Sequence, residues 1–151
     1  MEESVKALTD LDKIIQAFEL NEQDYRSYPA LTLAYIGDCV FDLVIRTVVI
    51  FKSHKQVNDL HKKTTRFVKA ETQAVMIQGL LDDEILNEEE RSVYKRGRNT
   101  KSHTSAKNAS IVAYRKATGF EAVLGYLYVT DQMERILELT KMGLSYTDLV
   151  L

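Results

Sequence analysis

The chain has one cysteine, one proline, no tryptophan and six glycines in 151 residues. A lone Cys39 excludes an intramolecular disulfide and a cysteine-based metal knuckle, which fits a reducing cytoplasm, and the residue is expected to be a small core side chain. Little proline and glycine, with plentiful Leu, Ile, Val, Ala, Lys and Glu, implies few turns and long regular elements, helices above all. Met1 to Leu8 carry no apolar run, so neither a signal peptide nor a lipid-anchoring motif is visible and secretion is not expected. His54, His61 and His103 lack zinc spacing and are expected at surface or packing positions. With 45% hydrophobic side chains, the length suits one domain with a continuous core and is short for two.

Acid is also missing from one stretch. Arg91 to Phe120 holds eight Lys or Arg and no Asp or Glu, while the rest of the chain has twelve basic and twenty-two acidic residues. The formal charge of −2 therefore hides a segment of +8 inside a remainder of −10. Such segregation points to a polyanionic partner for one part of the surface.

Apolar spacing predicts a run of helices. Thr9 and Asp10 cap the first, with Leu11, Ile14, Ile15 and Phe18 on one face and an end near Asn21. Ser27 and Pro29 open a second that runs to about Phe51, proline suiting the first turn. A third, amphipathic helix follows from Ser53 through Val57, Leu60, Thr64, Phe67 and Val68. The fourth covers Ala70 to Leu81 with Ala70, Ala74, Ile77 and Leu81 on one side, stopped by Asp82 and Asp83. Asn87 and Glu90 form a capping box for the fifth, whose acidic start and basic end suit the helix dipole. Gly97 to Asn108 reads as an exposed basic loop. Helix resumes near Ala109 and continues to Tyr128. A last one starts at Thr130 or Asp131, with Asp131 and Glu134 in box spacing, turns Met133, Ile136 and Leu137 inward, and stops at Gly143.

No long uncharged apolar run is present. The segment from Ala30 to Phe51 is apolar around nearly its whole circumference, but Asp38, Asp42 and Arg46 interrupt it. At roughly 2.5 to 3.5 kcal/mol per central charge, these offset most of the gain from membrane insertion, so the helix is expected in the core of a soluble domain. The three charges are four residues apart and form one line. Asp42 and Arg46 can pair, whereas Asp38 has Ala34, not a cation, one turn earlier. A carboxylate in apolar surroundings usually shifts its pKa, caps a core group or binds a metal. Glu121 interrupts a second apolar run, flanked one turn away by Ala117 and Gly125. That stripe of small residues lets another helix approach closely; if it is the central helix, Asp38 and Glu121 converge into an oxygen pair suited to Mg²⁺.

Residues 33–42, Leu-Ala-Tyr-Ile-Gly-Asp-Cys-Val-Phe-Asp, resemble the signature of the ribonuclease III family, in which the Asp after Gly is catalytic. Residues 120–128, Phe-Glu-Ala-Val-Leu-Gly-Tyr-Leu-Tyr, resemble its second motif, whose Glu is a metal ligand. Two family glutamates before Asp38 are replaced by Leu31 and Ala34, and an Asp before Glu121 by Thr118. This reduced acidic set is similar to that of the Mini-III subfamily, as are Arg96-Gly97-Arg98-Asn99, Lys101-Ser102, Lys107-Asn108 and Asn58-Asp59-Leu60-His61-Lys62-Lys63.

The resemblance implies an all-α, ribonuclease III-like helical bundle: a single domain over 1–151, no double-stranded-RNA-binding domain, and assembly as a homodimer. It implies a cytoplasmic Mg²⁺-dependent endoribonuclease, with Mn²⁺ as a possible substitute, that cuts double-stranded RNA and matures ribosomal RNA precursor. Asp38 and Glu121 would be catalytic and hold the metal, with Asp42 and Arg46 in support. Arg96, Arg98, Asn99, Lys101 and Lys107 would grip phosphates or 2′-hydroxyls. The competing reading, prompted by Leu31, Ala34 and Thr118, is an RNA-binding module that has lost its chemistry.

Overall fold

The computed structural model describes residues 7–53, 56–100 and 110–151. All the secondary structure among them is helical: α1 (Asp10–Ala17), α2 (Ala30–Lys52), α3 (Val57–Val68), α4 (Ala70–Asp82), α5 (Glu88–Arg98), α6 (Ile111–Val129) and α7 (Met133–Leu144), with one 3-10 turn at Tyr25–Ser27. His54, Lys101, His103, Lys107 and the expected helix start at Ala109 lie outside the described residues.

The bundle is organised around α6, which packs against α2, α4, α5 and α7. Ten of its residues are buried, on almost every side, so it is the helix at the centre. Phe41 of α2 meets Phe120 of α6 edge to face, with ring centroids 5.7 Å apart. Met76, Ile77 and Leu80 of α4 and Ile136 and Leu139 of α7 close the same core. The chain after α7 lies back over α4, where the Tyr146 hydroxyl donates to Asp83 Oδ2 at 2.6 Å. No helix among the described residues is long and apolar enough to cross a membrane.

Capping explains several boundaries. Thr9 with Asp12, and Asn87 with Glu90, each form a reciprocal capping box. Ser110 caps α6 by accepting from the Ala113 N–H. Among the described residues, three helices are followed by a left-handed residue that is not glycine: Glu19, Glu84 and Asp131, at φ 52°, 55° and 60°. In each case the next residue donates back five positions, Leu20 to Ile15, Ile85 to Leu80 and Gln132 to Leu127.

Several expectations from the sequence are corrected. α1 stops at Ala17, not near Asn21, because Glu19 closes it. Ser27 ends the 3-10 turn and Pro29 is the cap of α2 rather than a residue of its first turn. α3 opens at Val57 after Gln56, not at Ser53. The buried face of α4 centres on Gln73, Met76, Ile77 and Leu80, while Ala70, Ala74 and Leu81 are half-buried at its edge. α5 continues through Gly97 and Arg98, taking two residues from the expected loop. Asp131 makes no capping box, since its left-handed backbone points it at Thr9 instead, whose Oγ1 donates to it at 3.2 Å. Met133 and Leu137 face outward; Ile136, Leu139, Thr140 and Gly143 are the buried stripe, and the helix passes Gly143 to end at Leu144. α2 is not buried all round, for Leu31, Tyr35, Leu43 and Ile50 are exposed. Cys39 and Asp38 lie on that exposed side, not in the core.

Among the described residues, one charged group is fully buried. Glu90, 0% exposed, accepts from Arg135 Nε and Nη2 at 2.9 Å each, and Arg135 also donates to the Ile85 carbonyl. This bidentate pair ties the start of α5 to α7, and both Glu90 oxygens are satisfied. Arg135→Met leaves the carboxylate unpaired, so a loss of about 3–5 kcal/mol is expected in urea unfolding.

Candidate active site

Helices approach this closely only where side chains are absent. A Cβ built on Gly37 of α2 would lie 1.8 Å from the Glu121 carbonyl oxygen and 2.7 Å from the Gly125 nitrogen. One built on Gly125 of α6 would lie 1.8 Å from the Leu33 carbonyl oxygen. The two backbones are therefore in contact, and any side chain at either position forces them apart. Ala117, one turn before Glu121, is buried in the same stripe.

The residues beside these glycines are the two singled-out acids. Asp38 follows Gly37 and stands at the exposed edge of α2; Glu121 is half-buried on α6. Their carboxyl groups meet, and the pKa of Glu121 is pushed up from 4.5 to about 9, first by burial, then by the charge of Asp38 and the hydrogen bond with it. Neither acid has a Lys or Arg ion-pair partner among the described residues. The same residues hold no cluster of three or more His, Cys, Asp or Glu suited to a metal, so this site is a pair. Two adjoining, uncompensated carboxylates at the surface are a donor set that fits a hard divalent cation completed by other oxygens.

Asp42 and Arg46 continue the line of Asp38 along α2, and Arg46 Nε contacts Asp42 Oδ2 at 2.8 Å. Tyr35, Ile36, Asp38, Cys39 and Asp42 line a shallow open depression. Cys39 next to the pair was not anticipated, because the apolar run around it read as core on every side.

α5 packs its basic end against α6. Gly97 is buried against α6, where a Cβ would lie 2.9 Å from Ala122 Cβ and from Gly119 Cα. The cationic end of α5 thus lies along the turn of α6 that carries Glu121. Arg96 Nη2 donates to the Tyr28 carbonyl at 3.1 Å, so part of its guanidinium fixes the segment before α2. Arg98 lies over the Tyr94 ring, 5.6 Å from its centroid, and its Nε donates to Asn99 Oδ1 at 3.2 Å. Asn99 is the C-cap of α5. The Tyr28 contact was invisible in the sequence, since it is made by backbone.

Comparison with known proteins agrees with this geometry. The ribonuclease III domain matches residues 31–132, from the start of α2 to the end of α6 and the turn after it. A crystal structure of protein FN1578 from Fusobacterium nucleatum superposes with a TM-score of 0.72 at 27% identity, covering 82% of this chain and 97% of that one. The Mini-ribonuclease 3 of Clostridium tetani is 54% identical over 125 residues, 82% of each chain. That of Enterococcus faecalis is 47% identical over 117 residues, 78% of this chain and 89% of the relative. The chain belongs to the ribonuclease III family of helical endoribonucleases, in its Mini-ribonuclease 3 branch.

Two outcomes follow. Gly125→Ala should lower stability by about 3 kcal/mol or more in urea unfolding, because the clash is with backbone. Between pH 4.5 and about 9 the unfolded chain has released the Glu121 proton while the folded chain still holds it. Stability of the metal-free protein should therefore fall as pH rises through that window, and Glu121→Gln should flatten the slope.

Proposed function

We propose that Asp38 and Glu121 are the catalytic pair of a Mg²⁺-dependent endoribonuclease acting on double-stranded RNA. The observation that carries this is the meeting of two uncompensated carboxylates across the α2–α6 contact, alongside a basic helix end. A bound Mg²⁺, or Mn²⁺ in its place, would be held by these two acids and would supply Lewis acidity and orientation for phosphodiester hydrolysis. In this reading Asp38, at the solvent edge, also takes the proton of the attacking water. Asp42 and Arg46 position Asp38 from the next turns of α2.

Affinity for the duplex comes from cations meeting phosphates. Arg98, Asn99, Lys101 and Lys107 belong to this grip. Arg96 divides its guanidinium between RNA and Tyr28. A duplex has two strands, and a homodimer with one site per subunit matches its twofold character. The outward apolar side chains of α2 are the surface for that contact. As the family resemblance implies, the cellular substrate is ribosomal RNA precursor, met in the cytoplasm and handled by this single domain.

Incubation with a long RNA duplex should give cleavage with Mg²⁺ and none with chelator. Asp38→Asn and Glu121→Gln should keep duplex binding and lose cleavage; wild-type binding without cleavage under any divalent ion would instead favour a binding module. Arg98→Glu should weaken binding more than turnover at saturation and reduce the salt slope of binding by about one or more.

A further inference from the structure

α1 buries none of its eight residues and makes no extensive contact with any other helix. Isolated helices shorter than about 12–15 residues are marginal in water, so a capping box alone is not expected to hold it. Its apolar side chains nevertheless keep to one stripe, in which Leu11 and Ile15 are half-buried while Ile14 and the flanking Leu8 and Phe18 are exposed, Phe18 at 74%. On α2 a second uncovered stripe runs through Tyr35, Leu43 and Ile50, beside the acid line, with Tyr35 80% and Leu43 63% exposed.

Both stripes lie near the end of α6. Thr9 is hydrogen-bonded to Asp131, and the Tyr128 phenol lies near Asp10 of α1, Asp131 and Cys39, which stands between Tyr35 and Leu43 on α2. Together the six side chains present on the order of 700 Å² of accessible area, against ~800 Å² that one partner contributes to a standard interface. The α2 stripe supplies only about half of that. RNA does not fit this surface, because Asp10, Asp12 and Glu19 outnumber Lys13 and repel phosphate. A membrane surface is disfavoured for the same reason.

We infer that α1 is an interface helix, covered by a second copy of this chain as part of the same contact that the α2 stripe makes. The inference rests on the homodimer reading above and goes beyond it, since α1 precedes the residues 31–132 that match the family. A twofold contact would bury both stripes of both copies at once. Assembly would thus complete the cover that its own domain provides only in part.

Sedimentation equilibrium of the full chain over a wide concentration range tests this, comparing wild type with Ile14→Glu/Phe18→Glu. Both positions are exposed, so the far-ultraviolet circular dichroism and thermal unfolding of α2 to α7 should be retained. The wild type should dimerise and the variant should dimerise roughly tenfold or more weakly. Amides of α1 in the wild type should exchange more slowly as the dimer fills. A wild-type dimer whose dissociation constant is unmoved by the substitutions, or whose α1 amides stay unprotected, overturns the inference and leaves an α2-only dimer standing. A wild type that remains monomeric overturns both.

Discussion

Backbone contact between α2 and α6 is the constraint on which the rest of the molecule depends. Gly37 and Gly125 remove the side chains that would hold the helices a normal distance apart, and the carbonyls of Leu33 and Glu121 occupy the space a Cβ would need. The acids next to these glycines are brought together as a consequence, without a dedicated loop. Rigid helices place functional groups more accurately than loops do, and here the acids are on α2 and α6, which pack closely on one another. Gly97 repeats the device between α5 and α6.

Electrostatics then runs against the fold at this edge. A carboxyl whose pKa lies near 9 is in an environment that disfavours its charge, and the nearest contributor besides burial is the other acid. Two other acids in this protein are treated differently. Glu90, though fully buried, has both oxygens bonded by Arg135, and Asp42 has Arg46. The contrast separates carboxylates that have a counter-charge from a pair that has none among the described residues.

Much of this was legible in the sequence, for identifiable reasons. The 3.6-residue periodicity and the Asn87–Glu90 capping box located most helices, and the small stripe around Glu121 correctly foretold a close helix approach. What failed depended on tertiary context. The end of the first helix and the start of the last were misplaced because acids, Glu19 and Asp131, and not glycines, adopt the left-handed conformation there. Gly97 and Gly143 read as stops but are packing contacts, against α6 and Met76 respectively. Cys39 was assigned to the core because an apolar run looks the same whether its far side meets its own domain or an open surface. The Glu90–Arg135 pair spans forty-five positions, and no local pattern announces it.

The central claim is that α2 and α6 present Asp38 and Glu121 as one cation site. It is tested most directly by titrating Mn²⁺ into the protein and following loss of the free-ion electron paramagnetic resonance signal. The account predicts a site in the wild type that disappears in Asp38→Asn and in Glu121→Gln alike, and weakens when Gly125→Ala pushes the helices apart. Binding that survives either acid substitution unchanged would contradict it.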